Sequence, residues 1–106
     1  LSVIWMAWQR AASINDLKSG QSKVVNVAGK DLALFNVDGK FYCIDNTCPH
    51  RQGPLGEGTL EGMDVRCPLH GSKFNIKTGA VDNPPAKTGV KAYVTKIEGT
   101  SIMVDV

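Results

Sequence analysis

An antiparallel all-β fold is predicted by three features of this chain. β-branched and aromatic runs recur in both halves, Asp38-Gly39 joins two of them, and apolar and polar residues alternate along the tail. Alternation with a period of two implies a sheet with one buried face.

The elements follow in order. Leu1–Trp8 (LSVIWMAW) is apolar, but a bilayer span takes about 20 residues. It has no basic leader and no small-residue cleavage site, so neither a membrane segment nor a signal peptide is expected. Met6 reads as a native start, and Trp5 and Trp8 as strand or edge packing. Ser13-Ile14-Asn15-Asp16 reads as a capping box, with Asp16 standing in for the usual Glu and Gly20 as a stop. One short helical turn is expected near 13–18. Strands are expected at Lys23–Ala28, Asp31–Val37 and Lys40–Ile44, separated by Gly29-Lys30 and by Asp38-Gly39 as a type I′ hairpin turn. Cys43, inside KFYCI, reads as a buried core thiol. Phe35, Phe41, Tyr42, Phe74 and Tyr93 read as core and cross-strand partners. Two strands close the chain, Val90–Glu98 and Ser101–Val106, around Gly99-Thr100.

Residues 46–88 differ. They hold all five prolines and six of the eleven glycines, a poor composition for central strands. A long loop-rich stretch inside a 106-residue chain is normally functional or disordered, and a bound metal would order it. The rest of the composition is that of one ordinary globular domain, 42% hydrophobic and 21% charged. Net charge is +2 and the basic residues are scattered, so no nucleic-acid partner is expected. An odd count of three cysteines argues for a reducing, cytoplasmic setting over a disulfide framework.

Chemistry concentrates in Asn46–Phe74, NTCPHRQGPLGEGTLEGMDVRCPLHGSKF. Cys48-Pro49-His50 is followed after sixteen residues by Cys67-Pro68-Leu69-His70. Thiolate and imidazole are the preferred side-chain ligands of soft and borderline metals. Three readings compete. Structural zinc accepts two sulfurs and two nitrogens, but its usual fingers group a Cys pair and then a His pair on a helix. A Cys/His catalytic dyad needs one nucleophile and one base and leaves two residues unexplained. An iron–sulfur centre in which two histidines replace two cysteines on one iron uses all four.

The two pairs, together with CPLHGSKFNIKTGAV and the flanking strands, closely resemble the Rieske family over about residues 8–106. The resemblance implies a basal antiparallel β-sandwich or open barrel, about 6–45 and 89–106, with a cluster-binding subdomain at about 46–88. It implies one [2Fe–2S] cluster, with Cys48 and Cys67 on the inner iron and His50 and His70 on the outer. Gly53, Gly56, Gly58 and Gly71 would let backbone amides approach the sulfurs, and Pro84-Pro85 would sit in a third covering loop.

Two ferric irons, two sulfides and two thiolates cancel to a neutral oxidised site, which accepts an electron more easily than a four-thiolate cluster. Rieske potentials accordingly lie at roughly −150 to +300 mV, against about −400 mV for plant-type ferredoxins. The potential is expected to fall with pH once the imidazoles titrate. High-potential members carry two further cysteines, at positions here occupied by Gly53 and Leu69. They also carry a Ser and a Tyr that donate hydrogen bonds to the cluster. Ser72 matches the Ser, while Phe74 replaces the Tyr, which implies a potential toward the low end of the range, lifted slightly by Ser72.

The chain is similar to the small Rieske-type ferredoxins of bacterial ring-hydroxylating dioxygenase systems. The resemblance implies a one-electron carrier, without catalysis or a small-molecule substrate of its own. It would pass electrons from a flavin-containing NAD(P)H reductase to a terminal oxygenase. His50 and His70 would form the electron port, ringed by a docking rim of Gly53, Pro54, Leu55, Pro68, Leu69 and Pro85. The alternative is a Rieske-type small subunit of a larger reductase, such as nitrite reductase.

Overall fold

The computed structural model describes residues 8–47, 54–68, 72–83 and 89–105. Eleven strands are named in these residues: β1 Trp8–Ser13, β2 Ser22–Val27, β3 Lys30–Val37, β4 Lys40–Asp45, β5 Thr59–Glu61, β6 Asp64–Arg66, β7 Lys73–Asn75, β8 Val81–Asn83, β9 Ala92–Tyr93, β10 Thr95–Glu98 and β11 Ser101–Asp105. They form three antiparallel sheets in the orders β1-β11-β10, β2-β3-β4-β9 and β5-β6-β7-β8.

Local chemistry sets the joints. Ser13 caps a 3₁₀ turn, Ile14–Asp16, its hydroxyl accepting from the Asn15 amide while Asp16 accepts from the Ser13 amide. The expected capping box is therefore formed, though it nucleates only a single turn. Asp38 and Gly39 both take positive φ, 53° and 85°, as a type I′ turn requires. Ala28 and Gly29 do the same, at 52° and 81°. That turn therefore sits one residue earlier than Gly29-Lys30, and Lys30 opens β3.

The middle sheet is buried on both faces, not one. Leu32 and Leu34 of β3 join Cys43, Phe41, Ile102 and Val104 in one core. Ala33 and Phe35 join Ile44, Leu55, Val65, Phe74 and Ile76 in a second. The run Leu-Ala-Leu-Phe is continuously apolar because each face of β3 meets a different sheet, the pattern of a doubly covered strand.

Two further differences from expectation have physical causes. The single strand expected over Val90–Glu98 is split at Val94. Tyr93 pairs with Cys43 in the middle sheet, whereas Thr95 pairs with Val104 in the first. The Asp105 amide donates to the Val94 carbonyl at 3.0 Å, which holds the chain where it changes sheets. The loop-rich stretch also contains a whole sheet, β5–β8, of three-residue strands. Gly62, at φ 63°, turns the β5–β6 hairpin. On its surface Glu61 meets Arg66 at 2.6 Å and Lys73 at 2.9 Å, and those bonds hold its carboxyl well down, at about 2. Trp8 lies on the edge strand β1, with Lys96 Nζ 4.3 Å from the centre of its ring.

Candidate metal centre

Both segments that carry the Cys/His pairs are closed at the base. The first runs between Thr47 and Pro54, which bridge antiparallel. Just outside them the Leu55 amide donates to the Asn46 carbonyl at 2.7 Å, and the Gly56 amide donates to Asn46 Oδ1 at 2.8 Å. Asn46 itself is buried, and its own amide donates to the Asp31 carbonyl of β3. One side chain and its backbone thus tie the entry of the loop to its exit and to the middle sheet.

The second segment tips the β6–β7 hairpin. Arg66 pairs with Lys73, and the Cys67 amide donates to the Ser72 carbonyl at 2.7 Å. Cys67 and Ser72 are buried, at 1% and 0% exposure. The Cys67 side chain belongs to the second core, with Leu55, Val65 and Phe74. Leu55 stands just outside the first loop and Cys67 opens the second, so that core joins the two loop bases.

Of the expected ligands, Cys67 lies within the described residues, while Cys48, His50 and His70 lie outside them. Gly53, Leu69, Gly71, Pro84 and Pro85 also lie outside, as do Trp5 and Met6. Cys43 is a core thiol as expected. It is 1% exposed, and burial first, then the Asp45 charge, push its pKa up to about 12, so it stays protonated and inert. The aromatic residues also fall where expected. Phe35, Phe41, Phe74 and Tyr93 are buried, Phe35 opposes Tyr42, and Tyr93 opposes Cys43.

Two expectations are corrected. Leu55, expected in an exposed docking rim, is fully buried (0%) and serves as the core anchor of the first loop. Pro68 is exposed and Pro54 half-buried. The amides of Gly56 and Gly58 themselves are taken within the protein. The Gly56 amide is taken by Asn46, and the Gly58 amide donates to the Leu55 carbonyl at 3.0 Å. They are glycines because of crowding. A Cβ on Gly56 would lie 2.6 Å from Val24 Cγ2, and one on Gly58 would press into the Arg66 carbonyl. Sequence reasoning missed Asn46, whose only signal is its place two residues before Cys48.

Cys67 is thus buried at the pinched base of one Cys/His loop and shares a core with Leu55 at the base of the other. The Rieske [2Fe-2S] domain model matches residues 7–94. The chain belongs to the Rieske [2Fe-2S] domain family. Its cofactor is one [2Fe–2S] cluster, and the donor set of two thiols and two imidazoles, with Cys67 buried, fits that group. Among its relatives is the ferredoxin component of the naphthalene 1,2-dioxygenase system of Pseudomonas putida, 38% identical over 98 residues, 92% of this chain and 94% of that protein. A solved Rieske neighbour is the ferredoxin of carbazole 1,9a-dioxygenase from Nocardioides aromaticivorans. It is 30% identical, with a TM-score of 0.89, over 92% of this chain and 96% of that one. A second comes from a complex of reduced oxygenase and oxidized ferredoxin in carbazole 1,9a-dioxygenase, 29% identical, with a TM-score of 0.87, over 95% and 94%.

Proposed function

We propose that this Rieske protein is a one-electron carrier that takes electrons from a flavin-containing NAD(P)H reductase and delivers them to a terminal oxygenase. The observation that carries the reading is the likeness to ferredoxin components of ring-hydroxylating dioxygenases over nearly the whole of both chains. It favours the carrier over the small subunit of a larger reductase such as nitrite reductase. No helix among the described residues is long and apolar enough to cross a membrane, and a cytoplasmic setting agrees with the odd cysteine count.

Cys48 and Cys67 would hold the inner iron and His50 and His70 the outer one. When bound, the cluster supplies a one-electron couple raised by its two neutral imidazole ligands. Cys67 excludes water from its side of the site, because its side chain is packed among Leu55, Val65 and Phe74. The closed loop bases fix where the two donor-bearing segments leave and rejoin the fold. Phe74 is fully buried and carries no hydroxyl, which favours the lower part of the Rieske range. Docking at the ligand end would involve the exposed Pro68, with Gly53, Leu69 and Pro85 as proposed neighbours.

The experiment is electron paramagnetic resonance of the purified protein after dithionite reduction, followed by stopped-flow reoxidation by an oxygenase component. A rhombic signal of low average g and fast, salt-sensitive reoxidation are expected. A silent sample carrying stoichiometric zinc would refute the assignment, and a tight permanent complex with a large reductase subunit would favour the alternative.

A further inference from the structure

The split of the tail between two sheets leaves open strand edges at the end of the fold away from the ligand loops. β9 covers only Cys43 and Ile44 of β4, so residues 40–42 have no ladder partner on that side among the described residues. The Phe41 carbonyl there accepts from a side chain, Thr95 Oγ1, at 2.6 Å. Among the described residues β10 is an edge strand, pairing with β11 alone. Between the two edges runs a groove of about 330 Å³ lined by residues 39–42 and 95–97. An adjoining hollow of about 290 Å³ shares Phe41, Tyr42 and Thr95 and continues to Ile76, Lys77 and Val94.

Two features point to what fits. The two exposed large hydrophobic side chains among the described residues are Val94 (58%) and Ile97 (50%), one in each hollow. Ile97 lies opposite the buried Ile102 and so shares the core-facing side of its sheet, yet it is half exposed and no strand among the described residues covers it. The charged groups of both linings are Lys40, Lys77 and Lys96, with no carboxylate. Lys96 is paired with Glu98 and sits over Trp8, whereas Lys40 and Lys77 have no ion pair among the described residues.

We propose that this groove docks an extended acidic segment of a partner protein, added as a strand against the open edge of β10. Its alternate apolar side chains would cover Ile97 and Val94, and its carboxylates would meet Lys40 and Lys77. Strand addition takes affinity from main-chain hydrogen bonds and specificity from alternate side chains, and this edge presents both. The groove begins at Lys40, and the first ligand loop leaves the other end of β4, about 16 Å of strand away. Lys77 likewise lies past the end of β7 remote from Cys67. A partner held here leaves the ligand loops free to exchange electrons.

The test is titration of ¹⁵N-labelled holoprotein with an acetylated heptapeptide of alternating glutamate and valine, followed by amide shifts. Saturable shifts confined to residues 39–42, 76–77 and 94–98 are expected, with affinity falling as salt rises. The same peptide with lysine for glutamate should bind at least about fivefold more weakly, and so should the acidic peptide to a Lys40→Glu, Lys77→Glu variant. Both lysines are exposed, and the wild-type comparison of the two peptides stands whether or not the variant folds. Absence of saturable shifts, equal binding of both peptides, or shifts centred elsewhere would overturn the proposal. So would sedimentation showing that a second copy of the chain occupies the groove.

Discussion

Asn46→Ala is expected to loosen the first ligand loop out of proportion to the atoms removed. Asn46 Oδ1 accepts the Gly56 amide at 2.8 Å, and both groups are buried. Removing the acceptor leaves that amide without its side-chain partner. A stranded buried donor costs about 1–3 kcal/mol, so the variant should lose about 2 kcal/mol. For a chain of this size that is about 10 °C in Tm. The backbone bonds from Leu55 and to Asp31 survive, so the loss falls on local opening at the loop base as well as on global unfolding. At 1.4 kcal/mol per decade, about 2 kcal/mol raises the open population roughly thirtyfold. Iron release to a chelator should then accelerate about tenfold or more. The assays are chemical denaturation of the holoprotein and the decay of its visible absorption in excess EDTA. A stability within about 0.5 kcal/mol of wild type together with unchanged release would refute the clamp.

Leu55→Ala, removing a fully buried anchor beneath the same loop, should cost about 2–5 kcal/mol in the same denaturation assay. Asp64 is expected to govern stability between mildly acid and neutral pH. A hydrogen bond that its protonated carboxyl donates to a carboxyl oxygen of the neighbouring Asp82, then burial and the Asp82 charge, raise its pKa to about 6. A raised aspartate stabilises when protonated, so its contribution is full below pH ~4 and is lost as pH rises through about 6. At this solvent-facing site screening reduces the effect to about 1 kcal/mol. Asp64→Asn should therefore be about 1 kcal/mol more stable than wild type at pH 8 and show a flatter profile from pH 4 to 7 by thermal melts. Ser72→Ala should lower the reduction potential if the buried hydroxyl favours the reduced site by about 1 kcal/mol, which is ~40 mV in a voltammogram. An unchanged potential would show that the hydroxyl is not aimed at the cluster.

The parts of this molecule that were legible in its sequence are those whose signals are local. Asp38-Gly39 announces its hairpin because the turn needs positive φ at two adjacent residues, and Ser13 with Asp16 announces its cap because both bonds close within three residues. Two Cys/His pairs at close spacing are local in the same sense. What the sequence conceals depends on distant partners. Val94 reads as an ordinary strand residue, and only the competing pairings of Tyr93 with Cys43 and of Thr95 with Val104 make it a junction. Strands β5 to β8 are three residues each, too short for alternation to register, and they persist because Val65 and Phe74 reach a core shared with β3. Leu55 follows a proline in a glycine-rich loop and reads as rim. It is core because the 3₁₀ turn Leu55–Glu57 packs against β2 and β3, with the Gly56 carbonyl accepting from the Ser22 hydroxyl at 2.8 Å. Its burial carries the same lesson as Asn46. The residues that fix a metal loop's geometry stand beside the ligands in sequence, but their strand partners, Asp31 and Ser22, lie more than ten residues away.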